Sequence, residues 1–285
     1  MPELPEVETV ARGLAANITG DTIESSRVLR RESIAHPGVK AFGRAVAGRR
    51  VLGASRRGKY VLVELSGGAT LVVHLRMSGR LLIKKQGAEP DRFARVCFGL
   101  GSGRELHFED MRVFGRLWLV APDEDLESVV GGIASLGVEP LDGLAPAYLK
   151  SAFAGKSQPV KSALLDQRIV AGIGNIYADE SLFLAGINPT RRAGGLSTAE
   201  VTRLCATICD VLRTAIERGG SSMRDYQNAL GVNGNYLHEA WVYGRKGEPC
   251  RACRATIEQV RLAGRSTHFC PSCQKRTASR KPSPL

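Results

Sequence analysis

Short runs of apolar residues that alternate with polar ones dominate the first half of the chain and predict β-strands. The stretch KYVLVELSGGATLVVHLRM, at residues 59–77, holds two such runs around a Gly-Gly turn. The stretch RELHFEDMRVFGRLWLV, at residues 104–120, holds two more. Near the N-terminus the apolar residues instead recur at helical spacing. We therefore expect an antiparallel β-sandwich with a helix at its N-terminal edge.

The character of the sequence changes after residue 130. A stretch rich in glycine and proline, GGIASLGVEPLDGLAP, is typical of a linker. Helical spacing then predicts helices at residues 146–155, 159–169, 175–185 and 197–218. The prediction is an α+β protein of two domains, comprising a β-sandwich domain with flanking helices at 2–130, a linker at 131–147, a helical domain at 148–235, a cysteine module at 240–275 and a basic tail at 276–285.

The chain is strongly basic, with 40 Lys and Arg against 28 Asp and Glu, a net charge of +12 and a pI near 9.7. The segment from Arg245 to Leu285 alone has ten basic and two acidic residues. Such a charge favours a polyanionic partner, nucleic acid before a membrane surface. No apolar run has the length of a membrane span and no signal-peptide pattern opens the chain, so we expect a cytoplasmic protein without membrane association.

Four of the seven cysteines form two C-x2-C pairs that are sixteen residues apart. This spacing is typical of a zinc ribbon, and four thiolates leave no open position on the metal, so we predict one structural Zn²⁺. The runs between the pairs predict a β-hairpin with Arg265 near its tip. Arg265 is either an ordinary solvated side chain or a probe for DNA. The predicted ligands are Cys250, Cys253, Cys270 and Cys273.

A glycine-punctuated turn separates the second and third predicted helices. Gly172 and Gly174 would let the backbone approach a ligand closely, and Asn175 is the expected N-cap of the third helix. Free N–H groups and the positive end of the helix dipole suit a phosphate. A plain helical hairpin explains the spacing equally well. The phosphate interpretation is favoured by nearby basic residues, which are Lys156, Lys161 and Arg168.

The first residues are not fully explained by the helix that follows them. Pro5 suits a first helical turn, and Glu6 suits the positive end of the helix dipole. The helix does not explain the presence of Pro2 and Glu3. Loss of Met1 would expose Pro2 as a secondary amine, and about a tenth of such α-amino groups are neutral at pH 7. This amine is a nucleophile toward a sugar C1′, and Glu3 beside it is suited to shuttle protons.

Six sequence blocks together resemble the bacterial formamidopyrimidine-DNA glycosylases. In chain order they are PELPEVET, RRGKY, HLRMSG, GIGNIYADE, YGRKGEPC and RSTHFC with the cysteine pairs, and they cover residues 2 to 273. As a set these blocks are highly specific. The resemblance implies a helix-two-turn-helix domain, a zinc-ribbon β-hairpin, a monomer without an organic cofactor, and double-stranded DNA containing oxidised purines as the partner.

The resemblance also implies an activity and the residues that carry it. The family excises 8-oxoguanine and formamidopyrimidines and then cuts the strand by successive β- and δ-elimination. Pro2 matches the Schiff-base nucleophile, and Glu3 matches the acid of the glycosylic step. Lys59 matches the lysine assigned to β-elimination, and Arg265 matches the arginine assigned to δ-elimination. Glu6 matches a glutamate that supports the site.

Further residues match the family's DNA contacts. His74, with Lys59 and Asn175, matches side chains that hold backbone phosphates, and Lys156 falls at another DNA contact. By strand alternation alone, His74 would be an ordinary core histidine.

A glycosylase must flip its nucleotide out of the base stack and fill the hole that is left. The loop at residues 219–235 falls where the family caps the extruded base. The side chains that match the family's void-filling residues are Met77, Arg112 and Phe114.

The sequence departs from the family pattern at two places. Met111 and Val113 stand where the family commonly has a proline or glutamine and a second arginine or threonine. The stretch DRFARV, at residues 91–96, replaces one that is usually rich in lysine and histidine. We expect the local DNA contacts to differ at these places and the catalytic residues to be unaffected.

Two alternative functions also fit parts of the sequence. An endonuclease VIII-like glycosylase would act on oxidised pyrimidines, but that subfamily typically begins PEGPE, and Leu4 argues against it. A non-catalytic zinc-containing DNA-binding protein would also explain the basic charge and the helix-turn-helix-like segment.

Overall fold

A computed structural model of the protein describes residues 1–221, 229–232 and 234–276. The chain forms two compact units. The first comprises Met1–Leu136 and Arg213–Tyr236, and the second comprises Gly137–Leu212 and the chain from Leu237 onward. In these described ranges, no helix is both long and apolar enough to cross a membrane.

The first unit is built mainly of strands, as the alternating pattern predicts. Short 3-10 turns at Arg31–Ser33 and Ser66–Gly68 interrupt the strands. Its helices and strands are α1 (Leu4–Ile18), β1 (Thr22–Val28), β2 (Ile34–His36), α2 (Val39–Val46), β3 (Arg49–Arg57), β4 (Tyr60–Leu65), β5 (Thr70–His74), β6 (Gly79–Lys85), β7 (Ala94–Leu100), β8 (Arg104–Asp110), β9 (Arg116–Val120), α3 (Leu126–Val129) and α4 (Gly131–Ala134).

The nine strands are hydrogen-bonded in the order β2-β9-β5-β4-β3-β1-β7-β8-β6. All neighbours are antiparallel except β2 and β9, which pair in parallel at one edge. β1 and β3 pair over a short stretch, with Thr22 opposite Arg50 and Ile23 opposite Arg49. This short pairing joins the two halves of the sheet. Apolar side chains from both halves share one buried cluster, so the halves pack as the layers of the predicted sandwich.

Helix α1 fixes the N-terminus of the chain against this sandwich. Its apolar residues recur at helical spacing, and the helix packs on β3 and β4. Burial of each large aliphatic side chain stabilises such packing by about 1.5–3 kcal/mol. The buried aliphatic residues of α1 are Leu4, Val7, Val10, Leu14 and Ile18.

The second unit is helical and carries a two-stranded hairpin. Short 3-10 turns lie at Pro140–Asp142, Ala193–Gly195 and Tyr236–His238, the last of which begins in the first unit. The main elements are α5 (Pro146–Phe153), α6 (Val160–Leu164), α7 (Asn175–Leu184), α8 (Thr198–Glu217), β10 (Glu258–Leu262) and β11 (Arg265–Phe269). Helix α8 begins in this unit and its residues from Arg213 onward belong to the first.

Two predicted helix boundaries are wrong. The helix expected at 159–169 ends at Leu164, because the chain then turns around the side chain of Gln167. That side chain accepts a hydrogen bond from the N–H of Gly172 at 2.9 Å and donates to the carbonyl of Ile173 at 2.8 Å. The N-cap of α7 is Gly174 in extended conformation, not Asn175, which is the first helical residue.

Candidate active site

The chain begins with a helix start that holds two buried carboxylates. Pro2 and Glu3 are buried, whereas Met1 is 45% exposed. Glu3 is the N-cap of α1: its side chain accepts a hydrogen bond from the N–H of Glu6, and its own N–H donates to Glu6 Oε2 at 2.7 Å. This reciprocal capping box satisfies two N–H groups at the helix start. Pro2 therefore directly precedes two carboxylates whose positions the helix determines.

Glu6 also connects α1 to the segment that follows α8. Its Oε1 accepts hydrogen bonds from the N–H of Ser221 at 2.7 Å and from the Ser221 hydroxyl at 3.0 Å. Gly220, with φ of +84°, lies so close that a Cβ there would be 2.9 Å from Glu6 Oε1. Glycine is therefore required at this position for both its backbone conformation and its small size.

Ala229, in the loop that follows α8, is also held by contacts within the first unit. The N–H of Ile83 donates to the carbonyl of Ala229 at 2.9 Å. A Cβ at Gly13 would lie 3.0 Å from the Ala229 Cβ, so Ala229 packs directly on α1. Residues 222–228 and 233 of the predicted base-capping loop, 219–235, lie outside the described residues.

Lys59 and His74 lie together at one end of β4 and β5. Lys59 follows Gly58, whose φ of +55° closes the tight turn between β3 and β4. His74 pairs with Tyr60 across the strands, and the two rings meet edge to face at 4.5 Å between centroids. Burial, with a contribution from the charges of Arg76 and Lys59, lowers the pKa of His74 to about 3. The imidazole is therefore neutral near pH 7.

The tautomer of His74 follows from a hydrogen bond with the backbone. The N–H of Arg76 donates to His74 Nδ1 at 3.0 Å. Because a neutral imidazole has one donor and one acceptor, the proton of His74 lies on Nε2. His74 thus offers an uncharged N–H donor. The simple core-histidine interpretation accounts for its burial but not for this donor.

The three predicted void-filling residues lie on two segments at the ends of paired strands. Met77 is half-buried in the turn between β5 and β6. Arg112 and Phe114 are exposed in the loop between β8 and β9, and Phe114 is 50% exposed. The Arg112 guanidinium carbon lies 4.9 Å from the centre of the Phe114 ring, in cation–π geometry. Exposed aromatic and apolar side chains of this kind mark an interaction surface.

The two departures from the family pattern have structural consequences in this region. Val113 has a φ of +57°, in the left-handed region that disfavours a β-branched residue. Within the unusual stretch at 91–96, Arg95 Nε donates to the carbonyl of Asp110 at 2.8 Å. Arg95 therefore supports the β8–β9 loop from within the protein.

In the second unit, Asn175 stands at the start of α7. Its Nδ2 lies 3.4 Å from both the Tyr243 hydroxyl and Ser266 Oγ, which are long hydrogen bonds. Its Oδ1 is buried and has no hydrogen-bond partner in the described part of the chain. The amide of Asn175 therefore retains bonding capacity for another ligand.

The basic cluster predicted around this turn is present only in part. The Arg168 side chain hydrogen-bonds Asp166 and lowers its pKa, and the nearby charge of Lys156 adds to this effect. Lys161, in contrast, is fully buried. Its ammonium pairs with Asp179 Oδ1 at 2.7 Å, so Lys161 does not support the phosphate interpretation of this turn.

The Lys161–Asp179 pair attaches the hairpin strand β11 to the helices. Lys161 Nζ donates to the carbonyl of Ser266 at 2.8 Å and to Thr267 Oγ1 at 3.0 Å. Asp179 Oδ2 accepts from the N–H of His268 at 2.8 Å. These contacts hold the strand that begins with Arg265. The sequence pattern missed this pair, since a lysine and an aspartate eighteen residues apart carry no local signal.

The hairpin that carries Arg265 is confirmed. β10 and β11 pair from Glu258 with Phe269 to Leu262 with Arg265. Ala263 and Gly264 both have positive φ, as a two-residue hairpin turn requires. Arg265 is the first residue after this turn and is exposed.

The cysteine sulfur atoms converge on one point. All four Sγ atoms lie within 4.8 Å of one another, and the Cys253–Cys270 and Cys250–Cys273 separations are 3.4 and 4.0 Å. Four thiolates bound to zinc at about 2.3 Å stand roughly 3.8 Å apart, so the cluster fits a tetrahedral zinc ion.

A buried glutamine that the sequence did not reveal supports this cluster. Gln274 Oε1 accepts from the N–H of Cys270, and its Nε2 donates to the carbonyl of Ile187, both at 2.9 Å. Asn188 Nδ2 donates to the Gln274 carbonyl at 2.8 Å. The second cysteine pair is thus attached to the segment that follows α7.

Three family models match the chain in sequence order. They are the formamidopyrimidine-DNA glycosylase N-terminal domain at residues 1–117, the formamidopyrimidine-DNA glycosylase H2TH domain at residues 136–227, and the zinc finger found in FPG and IleRS at residues 247–276. They confirm the predicted fold class. With the converging thiols, the zinc-finger match also confirms the predicted structural Zn²⁺.

Individual relatives agree with these matches. A formamidopyrimidine-DNA glycosylase of Gloeobacter violaceus is 50% identical over 96% of this chain and 98% of its own length. A Lactococcus lactis FPG variant, solved with DNA containing Fapy-dG, superposes with a TM-score of 0.89 at 34% identity, over 96% of this chain and all of its own. A MutM solved with DNA containing carbocyclic 8-oxo-G has a TM-score of 0.88 at 34% identity, over the same shares.

Proposed function

The chain belongs to the formamidopyrimidine-DNA glycosylase family, and we propose that the Pro2 amine is the nucleophile of its reaction. The protein is a bifunctional enzyme that removes oxidised purines from damaged DNA and cleaves the strand as an AP lyase. This activity is the one predicted from the sequence. The residue assignment rests on one observation, the capping box that holds Glu3 and Glu6 directly after Pro2.

Removal of Met1 gives Pro2 a free lone pair, which attacks C1′ of the damaged nucleotide. The bond from C1′ to the base breaks, and the base leaves with the electron pair and takes the proton that the amine loses. Glu3 donates a proton to O4′ as the sugar ring opens, and a cationic iminium forms between Pro2 and C1′. The buried N-cap position of Glu3, next to Pro2 in the chain, supports its assignment as this acid.

The iminium then serves as the electron sink for two eliminations. Loss of a proton from C2′ expels the 3′ phosphate, and loss of a proton from C4′ expels the 5′ phosphate. We assign Lys59 to the first elimination. It lies close to His74, which is proposed below to donate a hydrogen bond to a DNA phosphate. We assign Arg265 to the second, because an exposed guanidinium on a rigid hairpin is suited to pair with a leaving phosphate.

Four side chains are assigned to the DNA backbone. The Nε2–H of His74 and the ammonium of Lys59 donate to phosphate in the first unit. The Nδ2 amide of Asn175, whose hydrogen bonds within the protein are long, and the ammonium of Lys156 do so in the second. A neutral imidazole donor makes the His74 contact independent of pH near neutrality.

Met77, Arg112 and Phe114 are assigned to the hole that the flipped nucleotide leaves. The exposure of Arg112 and Phe114 and the location of all three residues on adjacent segments support this role. Glu6 is assigned as a supporting residue, which couples the helix start to Ser221 at the root of the capping loop.

The zinc ion is structural. When bound to Cys250, Cys253, Cys270 and Cys273, it cross-links the two ends of the module that presents Arg265. We further propose that the substrate is double-stranded DNA and that the enzyme acts as a monomer. Its proposed location is the cytoplasm, with access to the nucleoid, and its proposed domain boundaries are those predicted from the sequence.

Borohydride trapping tests the Schiff base. The enzyme is mixed with an abasic-site duplex and sodium borohydride, and the adduct is digested and mapped by mass spectrometry. We expect one covalent adduct on Pro2, and an adduct on a lysine would overturn the assignment. Excision of 8-oxoguanine opposite cytosine should exceed excision of thymine glycol, and the reverse order would contradict the substrate class.

A further inference from the structure

We infer that Asp110 and Ser78 are positioning residues that hold the two void-filling segments together as one unit. The segments are the Met77 turn, residues 75–79, and the Arg112 loop, residues 110–115. The inference rests on the proposed void-filling role of Met77, Arg112 and Phe114. It assigns no contact with DNA to Asp110 or Ser78 themselves, since they are only 1% and 4% exposed.

The carboxylate of Asp110 joins the two segments directly. Its Oδ1 accepts from the Ser78 hydroxyl at 2.5 Å and from the N–H of Arg112 at 3.2 Å. Its Oδ2 accepts from the N–H of Gly115 at 2.7 Å. Ser78 Oγ in turn accepts from the N–H of Arg112 at 3.1 Å. One carboxylate thus bonds to the residue after Met77 and to both sides of Phe114.

The backbone of both segments is tightly constrained around these bonds. The N–H of Gly79 donates to the Leu75 carbonyl at 2.9 Å, and a Cβ at Gly79 would lie 2.4 Å from that oxygen. A Cβ at Gly115 would lie 2.5 Å from the Phe108 ring. Between Arg112 and Phe114, Val113 adopts a positive φ that a β-branched residue disfavours. The hydrogen bonds to Asp110 are what hold the loop in this strained conformation.

The carboxylate of Asp110 contacts hydrogen-bond donors rather than a charged side chain. No lysine, arginine or histidine side chain of the described ranges pairs with its carboxylate, and its three donors are one hydroxyl and two backbone N–H groups. Such charge-assisted bonds are about twice as strong as neutral ones. An asparagine has the same shape but presents a donor in place of one acceptor oxygen, so it would face at least one of these donors unfavourably.

Holding the two segments in place has a consequence for the reaction. Side chains that are already ordered fill the hole in the duplex without a further loss of conformational entropy on binding. An abasic site in single-stranded DNA has no stacked partner and no hole to fill. The contacts of Asp110 should therefore matter for excision from a duplex and not for Schiff-base formation on single-stranded DNA.

The test compares Asp110→Asn and Ser78→Ala with wild type in two assays. Single-turnover excision of 8-oxoguanine from a duplex should slow by about 10- to 100-fold for Asp110→Asn, as expected for loss of hydrogen bonds to a buried charged group, and by less for Ser78→Ala. Borohydride trapping on a single-stranded abasic site should stay within about twofold of wild type. Fluorescence of 2-aminopurine opposite the lesion should report slower entry of the void-filling residues.

Asp21→Asn is the matched control. Asp21 also accepts from a hydroxyl and from backbone N–H groups, those of Ser102 and Thr22, but it lies at the Arg104 end of β8, opposite to Asp110. Its substitution should leave duplex excision at the wild-type rate once the protein is shown to be folded. Unchanged duplex excision in Asp110→Asn, or an equal loss in both assays, would overturn the inference. Absence of trapping by the wild-type enzyme would instead refute the proposed nucleophile.

Discussion

The carboxylate of Glu6 and the N–H and hydroxyl of Ser221, 215 residues apart in the chain, are joined by hydrogen bonds of 2.7 and 3.0 Å. The same glutamate completes the capping box of the helix that begins two residues after Pro2. Glu6 therefore links the start of the chain, where the proposed nucleophile Pro2 lies, to the root of the loop that is proposed to cover the extruded base.

Glu6→Gln should weaken both ends of this link. The amide would place an N–H₂ group against either Ser221 or the N–H of Glu3 in a site that is 1% exposed. We expect a loss of about 1–3 kcal/mol in the free energy of unfolding and slower base excision. Denaturant unfolding and single-turnover excision measure the two effects. Glu8→Gln, on the same helix but paired with Arg12 and Arg56 nearer the surface, is the control and should cost less.

An N-terminal tag should abolish activity and leave the fold intact. An acylated Pro2 nitrogen has no available lone pair, whereas α1 and its buried face do not depend on a free terminus. The tagged enzyme should bind lesion DNA yet form no borohydride adduct, and cleavage that restores Pro2 as the first residue should restore trapping. Full activity with the tag uncleaved, or with Met1 retained by mass, would contradict the assignment of Pro2.

Loss of one zinc ligand should release the metal and weaken DNA binding together. Cys250→Ser removes a thiolate from the cluster, and we expect zinc loss and DNA affinity reduced by at least about tenfold. Cys209→Ser is the matched control, because its hydroxyl can still donate to the Pro140 carbonyl that Cys209 Sγ contacts. Metal analysis and DNA-binding titration at one salt concentration measure both properties. Retained affinity in metal-free Cys250→Ser would show that the module is dispensable.

The buried neutral His74 should make the protein less stable in acid. Its folded pKa, about 3, lies below the ordinary value near 6.5, so the unfolded chain binds the proton more readily between these values. The stability contribution is complete above about pH 6.5 and is lost as the pH falls toward 3, by about 3 kcal/mol at pH 4. His74→Gln should flatten this part of the stability curve. Parallel curves for the two proteins, measured by denaturant unfolding from pH 7 to 4, would contradict the assignment.

Asp179→Asn should lower the free energy of unfolding far more than Asp166→Asn. The first leaves the fully buried ammonium of Lys161 without its carboxylate, which typically costs about 3–5 kcal/mol. The second breaks a pair with Arg168, whose side chain is 76% exposed, and should cost less than about 1 kcal/mol. Denaturant unfolding measures both. Similar values would mean that the buried pair does not secure β11.

Local patterns in the sequence were sufficient for much of the fold. Alternation in residues 59–77 and 104–120 predicted strands that the structure contains, because burial of one face of a strand selects that period directly. The cysteine spacing predicted the zinc site for a similar reason, since each knuckle is a local turn. The end of α6 was missed because it depends on the side chain of Gln167 bonding across a turn, a contact that has no periodicity.

The sequence by itself therefore determined the elements, the zinc cluster and, through its motifs, the family and its chemistry. The tertiary structure decided which side chains are buried and which residues they pair with or hydrogen-bond. It buried Lys161 against Asp179, gave His74 a neutral ring with its proton on Nε2, and bonded Ser78 to Asp110. These properties arise from desolvation and from hydrogen bonds between residues far apart in the chain, and only packing brings such residues together.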